Sequence, residues 1–113
     1  FKNQTNHEID LKNGIKLIQI IGSNFSDNNY DHLIDHNTGF NLSILKAKKG
    51  LIEDLIFDKP TILFSQKGTW KVKIEKDEFN INSKDTFSLP LNTKVSISID
   101  NNEECFLNCV SKA

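Results

Sequence analysis

Residues 94–100 read KVSISID, and this stretch decides the fold. Val95, Ile97 and Ile99 alternate with Lys94, Ser96, Ser98 and Asp100, the period of two that gives a strand one buried and one wet face. Working outward, residues 39–113 repeat the pattern as short alternating runs broken by turn residues, which predicts an antiparallel sandwich or barrel. Nothing in this part reads as a long helix.

Phe40, Leu42 and Ile44 alternate with Asn41 and Ser43 in a run that ends at Lys48-Lys49-Gly50, and residues 51–58 form a second strand that Pro60 closes, since proline supplies no ladder donor. Residues 62–66 and 69–75 flank Lys67-Gly68 as a hairpin with glycine at the turn, Trp70, Val72 and Ile74 sharing one face. Lys76-Asp77 turns the chain into Phe79 and Ile81. Asn82-Ser83-Lys84-Asp85 turns it into Phe87 and Leu89, up to Pro90, and Asp100-Asn101-Asn102 turns it into residues 105–110. Toward the N-terminus, residues 15–21 read as a strand preceded by Asn13-Gly14, and residues 22–30 as an irregular polar loop. Residues 31–36 are ambiguous, since His32 and His36 lie four apart and would share a helical face. Eight strands in this order fit an all-β jelly roll, whose closure hides vulnerable edges.

A chain of 113 residues has room for one core, so residues 1–113 read as one domain, with 1–38 an N-terminal strand and loop and 39–113 the barrel core. With 37% hydrophobic residues, 26% charged and a net charge of -1, it falls with ordinary globular domains. There is no run of ~20 apolar residues and no basic-then-apolar N-terminal segment, so neither a membrane nor secretion is expected and the location predicted is cytoplasmic. All 14 basic residues are Lys. Without the planar fork of Arg, nucleic acid is not an expected partner; Lys46, Lys48 and Lys49 form a solvated cluster or a Lys-based phosphate site. Cys105 and Cys109, four apart on a strand, have Cα atoms about 13 Å apart and cannot bridge. They read as small buried thiols in a reducing compartment.

Residues 50–109 resemble the cupin family, whose two motifs are G-x5-H-x-H-x3,4-E-x6-G and G-x5-P-x-G-x2-H-x3-N. Gly50, Gly68, Asp85 and Pro90 stand where the pattern shapes the backbone. Asn92 replaces a glycine, and Asn best tolerates a left-handed backbone. The positions that bind metal are empty: Asp54 and Ile56 fall at the two histidines, Thr61 at the glutamate, Val95 at the third histidine and Ile99 at the asparagine. A slip of one position places Leu55 and Phe57 there instead. The resemblance implies a cupin-type jelly-roll β-barrel (a double-stranded β-helix), and a homodimer formed by strand exchange or sheet packing, which exposed Phe and Ile on an outer sheet face would support. Imidazole nitrogen and carboxylate oxygen are what the family's metals require. Here only Asp54 could donate, so neither metal nor cofactor is expected. His32 and His36, with Asp31 and Asp35, are the one place for a relocated metal pair, weighed against a solvated surface loop.

The face of Val95 points inward in the family, so the resemblance, with the period of two, implies that Asp54, Ile56, Thr61, Leu63, Ser65, Val95 and Ile97 lie inside the barrel. They form either a packed interior, with Thr61 and Ser65 bonded locally, or a small-molecule pocket in which Asp54, Thr61 or Ser65 orients the ligand. Asp54 is the one ionisable group expected inside, where desolvation would raise its pKa. The expected function is a metal-independent cupin-like domain that binds a small organic ligand in the barrel or serves a non-catalytic role. The alternatives are a sugar- or metabolite-modifying enzyme using cavity carboxylates, and the ligand-sensing part of a regulatory system.

Overall fold

The computed structural model describes residues 7–11, 14–21, 40–57 and 59–112. The readings of residues 22–39, including His32 and His36, lie outside the described residues. Eight strands are described: β1 (His7–Asp10), β2 (Lys16–Ile21), β3 (Phe40–Phe57), β4 (Thr61–Lys67), β5 (Trp70–Ile74), β6 (Asp77–Ile81), β7 (Thr86–Leu89) and β8 (Thr93–Lys112). All pairings are antiparallel, in the order β1-β2-β3-β8-β4-β7, with β5 paired to β8 and β6 to β5. No described helix is long and apolar enough to cross a membrane.

The long strands β3 and β8 organise everything else. At 18 and 20 residues they far exceed the ~6 of an ordinary strand, because each serves two layers. Residues 40–47 pair with 105–112, and 49–57 with 93–100. The pair 40–47 with 105–112 is flanked by β2 and β4, the pair 49–57 with 93–100 by β5. Buried side chains from both layers meet in one cluster that includes Leu17, Leu45, Phe57, Leu63, Trp70 and Leu107.

Three sequence expectations change here. Lys48-Lys49-Gly50 bends β3 without ending it, because its pairing with β8 resumes at Lys49. Residues 62–75 are not a hairpin: β4 pairs with β7 and β8, β5 with β6 and β8, so Lys67 to Trp70 crosses between layers. The Asp100-Asn102 turn is an excursion within β8, where Asp100 and Cys105 lie opposite Lys49 and Ala47 and residues 101–104 stand exposed between them. Asn101 Oδ1 closes the excursion by accepting from the backbone N–H of Asn102 (2.7 Å) and Glu103 (3.2 Å), and Glu103 reaches Lys67 Nζ at 2.9 Å. Strand β1 was not foreseen; it forms a hairpin with β2.

A bulge after Ile52 decides which side chains at the end of β3 face inward. Ile52 opposes Ile97 and Leu55 opposes Val95, so Glu53 and Asp54 on β3 stand against Ser96 alone on β8, with Asp54 at φ 57°. An extra residue flips every later side chain to the other face. Beyond it Leu55 and Phe57 point inward, Phe57 fully buried, while Asp54 and Ile56 are exposed.

Candidate functional site

Five of the seven side chains expected in the barrel are inside it. Thr61, Leu63, Ser65, Val95 and Ile97 are each 0–1% exposed. Their side chains sit in packed core, and the open space that Thr61 and Val95 border lies on the outer side of the sheets. Their polar atoms are spoken for: Thr61 Oγ1 donates to the carbonyl of Lys59 at 2.8 Å, and Ser65 Oγ to that of Gly68. Trp70, the largest residue inside, donates its indole N–H to the carbonyl of Lys67 at 3.2 Å. The other two placements are corrected. Asp54 and Ile56 stand outside because of the bulge, and the burial that would make Asp54 an acid or base is missing.

The interior also holds polar groups that the sequence did not flag. Asn41, Ser43 and Ser111 are buried, Asn41 Nδ2 donating to Ser111 Oγ at 3.4 Å, while Ser43 Oγ has no hydrogen-bond partner among the described residues. The signal was parity. Asn41 and Ser43 are in phase with the core residues Leu45 and Ala47. Cys109, opposite Ser43, is a free thiol whose burial pushes its pKa up to about 12. Cys105 is also buried and free.

Open space lies outside the barrel. A groove of about 840 Å³ runs along the outer side of the layer formed by the second half of β3, the first half of β8, β5 and β6. Alternation builds its floor. Val72 and Ile97 face inward as a pair, so their neighbours face out in cross-strand rows: Leu51, Ser98 and Lys71 in one, Ser96, Lys73 and Glu78 in the next. Lys94 adds a third ammonium, and Glu53, Asp54, Glu75 and Glu78 supply carboxylates. The charged groups are exposed and the two serines half-buried. Of the four described non-glycine residues with positive φ, three line this groove: Asp54 at 57°, Glu75 at 56° and Asn92 at 59°. The left-handed Asn92 fits the glycine role assigned to it, and its N–H donates to the carbonyl of Phe57 at 2.8 Å. Backbone strain concentrated in one place is a recurrent mark of binding sites.

Of the residues at the inward positions of both motif placements, Leu55, Phe57 and Val95 have no lone pair to offer a metal, and Thr61 Oγ1 donates to the carbonyl of Lys59. Among the described residues no three His, Cys, Asp or Glu side chains come together.

No family model and no curated protein matches the sequence. Solved structures do match the fold. An RmlC-like cupin from Shewanella frigidimarina is similar over 99% of this chain and 87% of its own, at TM-score 0.68 and 10% identity. The polyketide cyclase RemF from Streptomyces resistomycificus is similar over 99% and 77%, at TM-score 0.67 and 8% identity. A putative ethanolamine utilization protein Q from Salmonella typhimurium is similar over 87% and 68%, at TM-score 0.65 and 9% identity. At such identities the likeness concerns the fold alone.

Proposed function

We propose that this chain, which has the cupin-type jelly-roll fold, is a metal-independent, non-catalytic domain that binds a small hydroxylated organic anion in the outer groove, the barrel being filled. The observation that carries the proposal is the groove with its three left-handed backbone positions, set against a barrel whose candidate site residues are fully packed. Lys71, Lys73 and Lys94 supply point charges for a carboxylate, and Ser96 and Ser98 with Glu53 and Glu78 suit hydroxyls. An enzyme would need acid and base groups held away from water. The carboxylates of this groove are all exposed.

The test is a titration of isotope-labelled protein with gluconate, glucuronate and citrate, and with neutral glucose, followed by amide NMR. The acids should shift the amides of Lys73, Ser96 and Ser98, and the double substitution Lys71→Ala/Lys73→Ala should weaken binding about tenfold, the loss of a charge-assisted contact. Shifts centred on Thr61, Leu63 and Ile97, or none with any of the four, would overturn the proposal.

A further inference from the structure

On the outer side of the layer that holds the groove, strand register sorts the side chains into rows about 6.6 Å apart, two residues along each strand at ~3.3 Å per residue. One row holds Leu51, Ser98, Lys71 and Asn80. The row on one side of it holds Ser96, Lys73 and Glu78, and the row on the other side Lys49 and Asp100. The lysines differ in their company. Lys73 lies directly opposite Glu78, and Lys49 Nζ is 3.7 Å from Asp100 Oδ1. The bulge sets Glu53 and Asp54 against Ser96, two residues from Lys94. The row of Lys71 holds no carboxylate. A second hollow of about 300 Å³ opens past that row, lined by Thr69, Asn80 and Asp100, and it shares Lys71 and Ser98 with the groove of about 840 Å³. Lys71 therefore stands where two hollows join, each within the roughly 300–1,000 Å³ of a small-molecule site.

We infer that the ligand of the groove is an oligosaccharide with an internal uronate, its carboxylate held by Lys71 and a sugar unit lying in the hollow on each side. The inference rests on the reading of the groove as a site for hydroxylated anions and names the class. An acid is drawn to a cation that has no opposing charge beside it. Next to Lys73 a carboxylate would meet Glu78 one strand spacing of ~4.8 Å away, and the repulsion offsets the attraction. Next to Lys71 it meets a hydroxyl and a carboxamide, and Ser98 and Asn80 can donate to it along with the ammonium. Leu51, 41% exposed in the same row, offers an apolar contact for the C–H face of a sugar ring. The place of this row decides the rest. A lone sugar acid with its charge at Lys71 reaches into one hollow and leaves the other to water, whereas a chain with its acid inside fills both. The second hollow suits a neutral unit. Thr69 Oγ1 donates to Asn82 Oδ1 at 3.2 Å and keeps its lone pairs to accept, Asn80 both donates and accepts, and Lys49 meets the charge of Asp100. On the groove side, Ser96 and Glu78 accept from sugar hydroxyls.

The test is amide NMR of the whole chain titrated with glucuronate, with the tetrasaccharide of alternating glucuronate and N-acetylglucosamine, in which one uronate is internal, and with neutral cellotetraose. The acidic tetrasaccharide should bind at least about tenfold more tightly than glucuronate, because hydrogen bonds form in both hollows, and should shift Thr69, Asn80 and Asp100 as well as Lys71, Lys73 and Ser98. Lys71→Gln should weaken its binding about tenfold and Lys73→Gln much less, the spectra themselves showing that both variants are folded. If glucuronate shifts the groove and the tetrasaccharide gains nothing, or leaves the second hollow untouched, the inference is overturned and the small-anion reading stands. If neither acid shifts the groove, both fall. Cellotetraose bound as tightly as the acidic chain, or Lys73→Gln as costly as Lys71→Gln, overturns the placement of the carboxylate at Lys71.

Discussion

Gly68 and Cys105 leave no room between them: a Cβ added to Gly68 would run into Cys105 Sγ, and Gly68 holds φ 93°, a conformation that side chains disfavour. The contact ties the crossing between β4 and β5 to the far end of the excursion in β8. Gly68→Ala should therefore destabilise the fold by about 2–4 kcal/mol, from left-handed strain and overpacking together. Cys105→Ala in the same background should return part of that loss by removing the sulfur, but leave the backbone strain. Urea unfolding of both single variants and the double separates the two effects, and additivity would contradict the contact.

Asp54 tests the bulge. At φ 57° it can be replaced by glycine with little change, whereas Asp54→Val should cost about 1–2 kcal/mol, because a β-branched side chain does not accept a left-handed backbone. If Asp54 pointed into the barrel the order would reverse, since valine would improve an apolar interior. Chemical denaturation of the two variants distinguishes these outcomes.

A filled barrel makes its interior positions costly to trim. Leu63, with no exposed surface, should lose about 2–5 kcal/mol on substitution by alanine. Were Leu63 the wall of an open pocket, the loss would stay well below that range. Thermal and urea unfolding measure it.

Cys109 makes stability sensitive to alkali. Its thiol is pushed up to about 12 by burial, from 9.0 in an exposed setting. A folded-state pKa above the unfolded one means that this contribution is complete below pH 9 and is lost as the pH rises toward 12. Between those limits the loss is of order 1.4 kcal/mol per pH unit. Cys109→Ala should be less stable at pH 7 but should lose less than the wild type between pH 9 and pH 11. Equal slopes of unfolding free energy against pH would contradict the burial.

The fold was legible because alternation survives in KVSISID, and because Gly68, Pro90 and Asn92 sit where the jelly roll turns. The site was only half legible. Counting by twos from Ile52 puts Asp54 and Ile56 inside, and the count fails because one inserted residue, which no side-chain pattern announces, reverses every parity after it. Alternation also could not say that Leu42 and Ile44 face outward, since on that strand the polar residues are the buried ones. The hairpin expected around Lys67-Gly68 failed for another reason. A glycine turn between two alternating runs looks the same whether the runs pair with each other or, as here, each pairs with β8 in a different layer. The outer groove comes from strands distant in sequence, and only the register of β3, β5, β6 and β8 assembles it.

Elemental analysis tests the proposed metal independence of the domain most directly. Protein purified after growth in added iron, manganese, nickel and zinc should carry far less than one transition-metal ion per chain, because Leu55, Phe57 and Val95 offer no lone pair. A stoichiometric metal that survives dialysis would contradict the account, and would direct attention to His32 and His36.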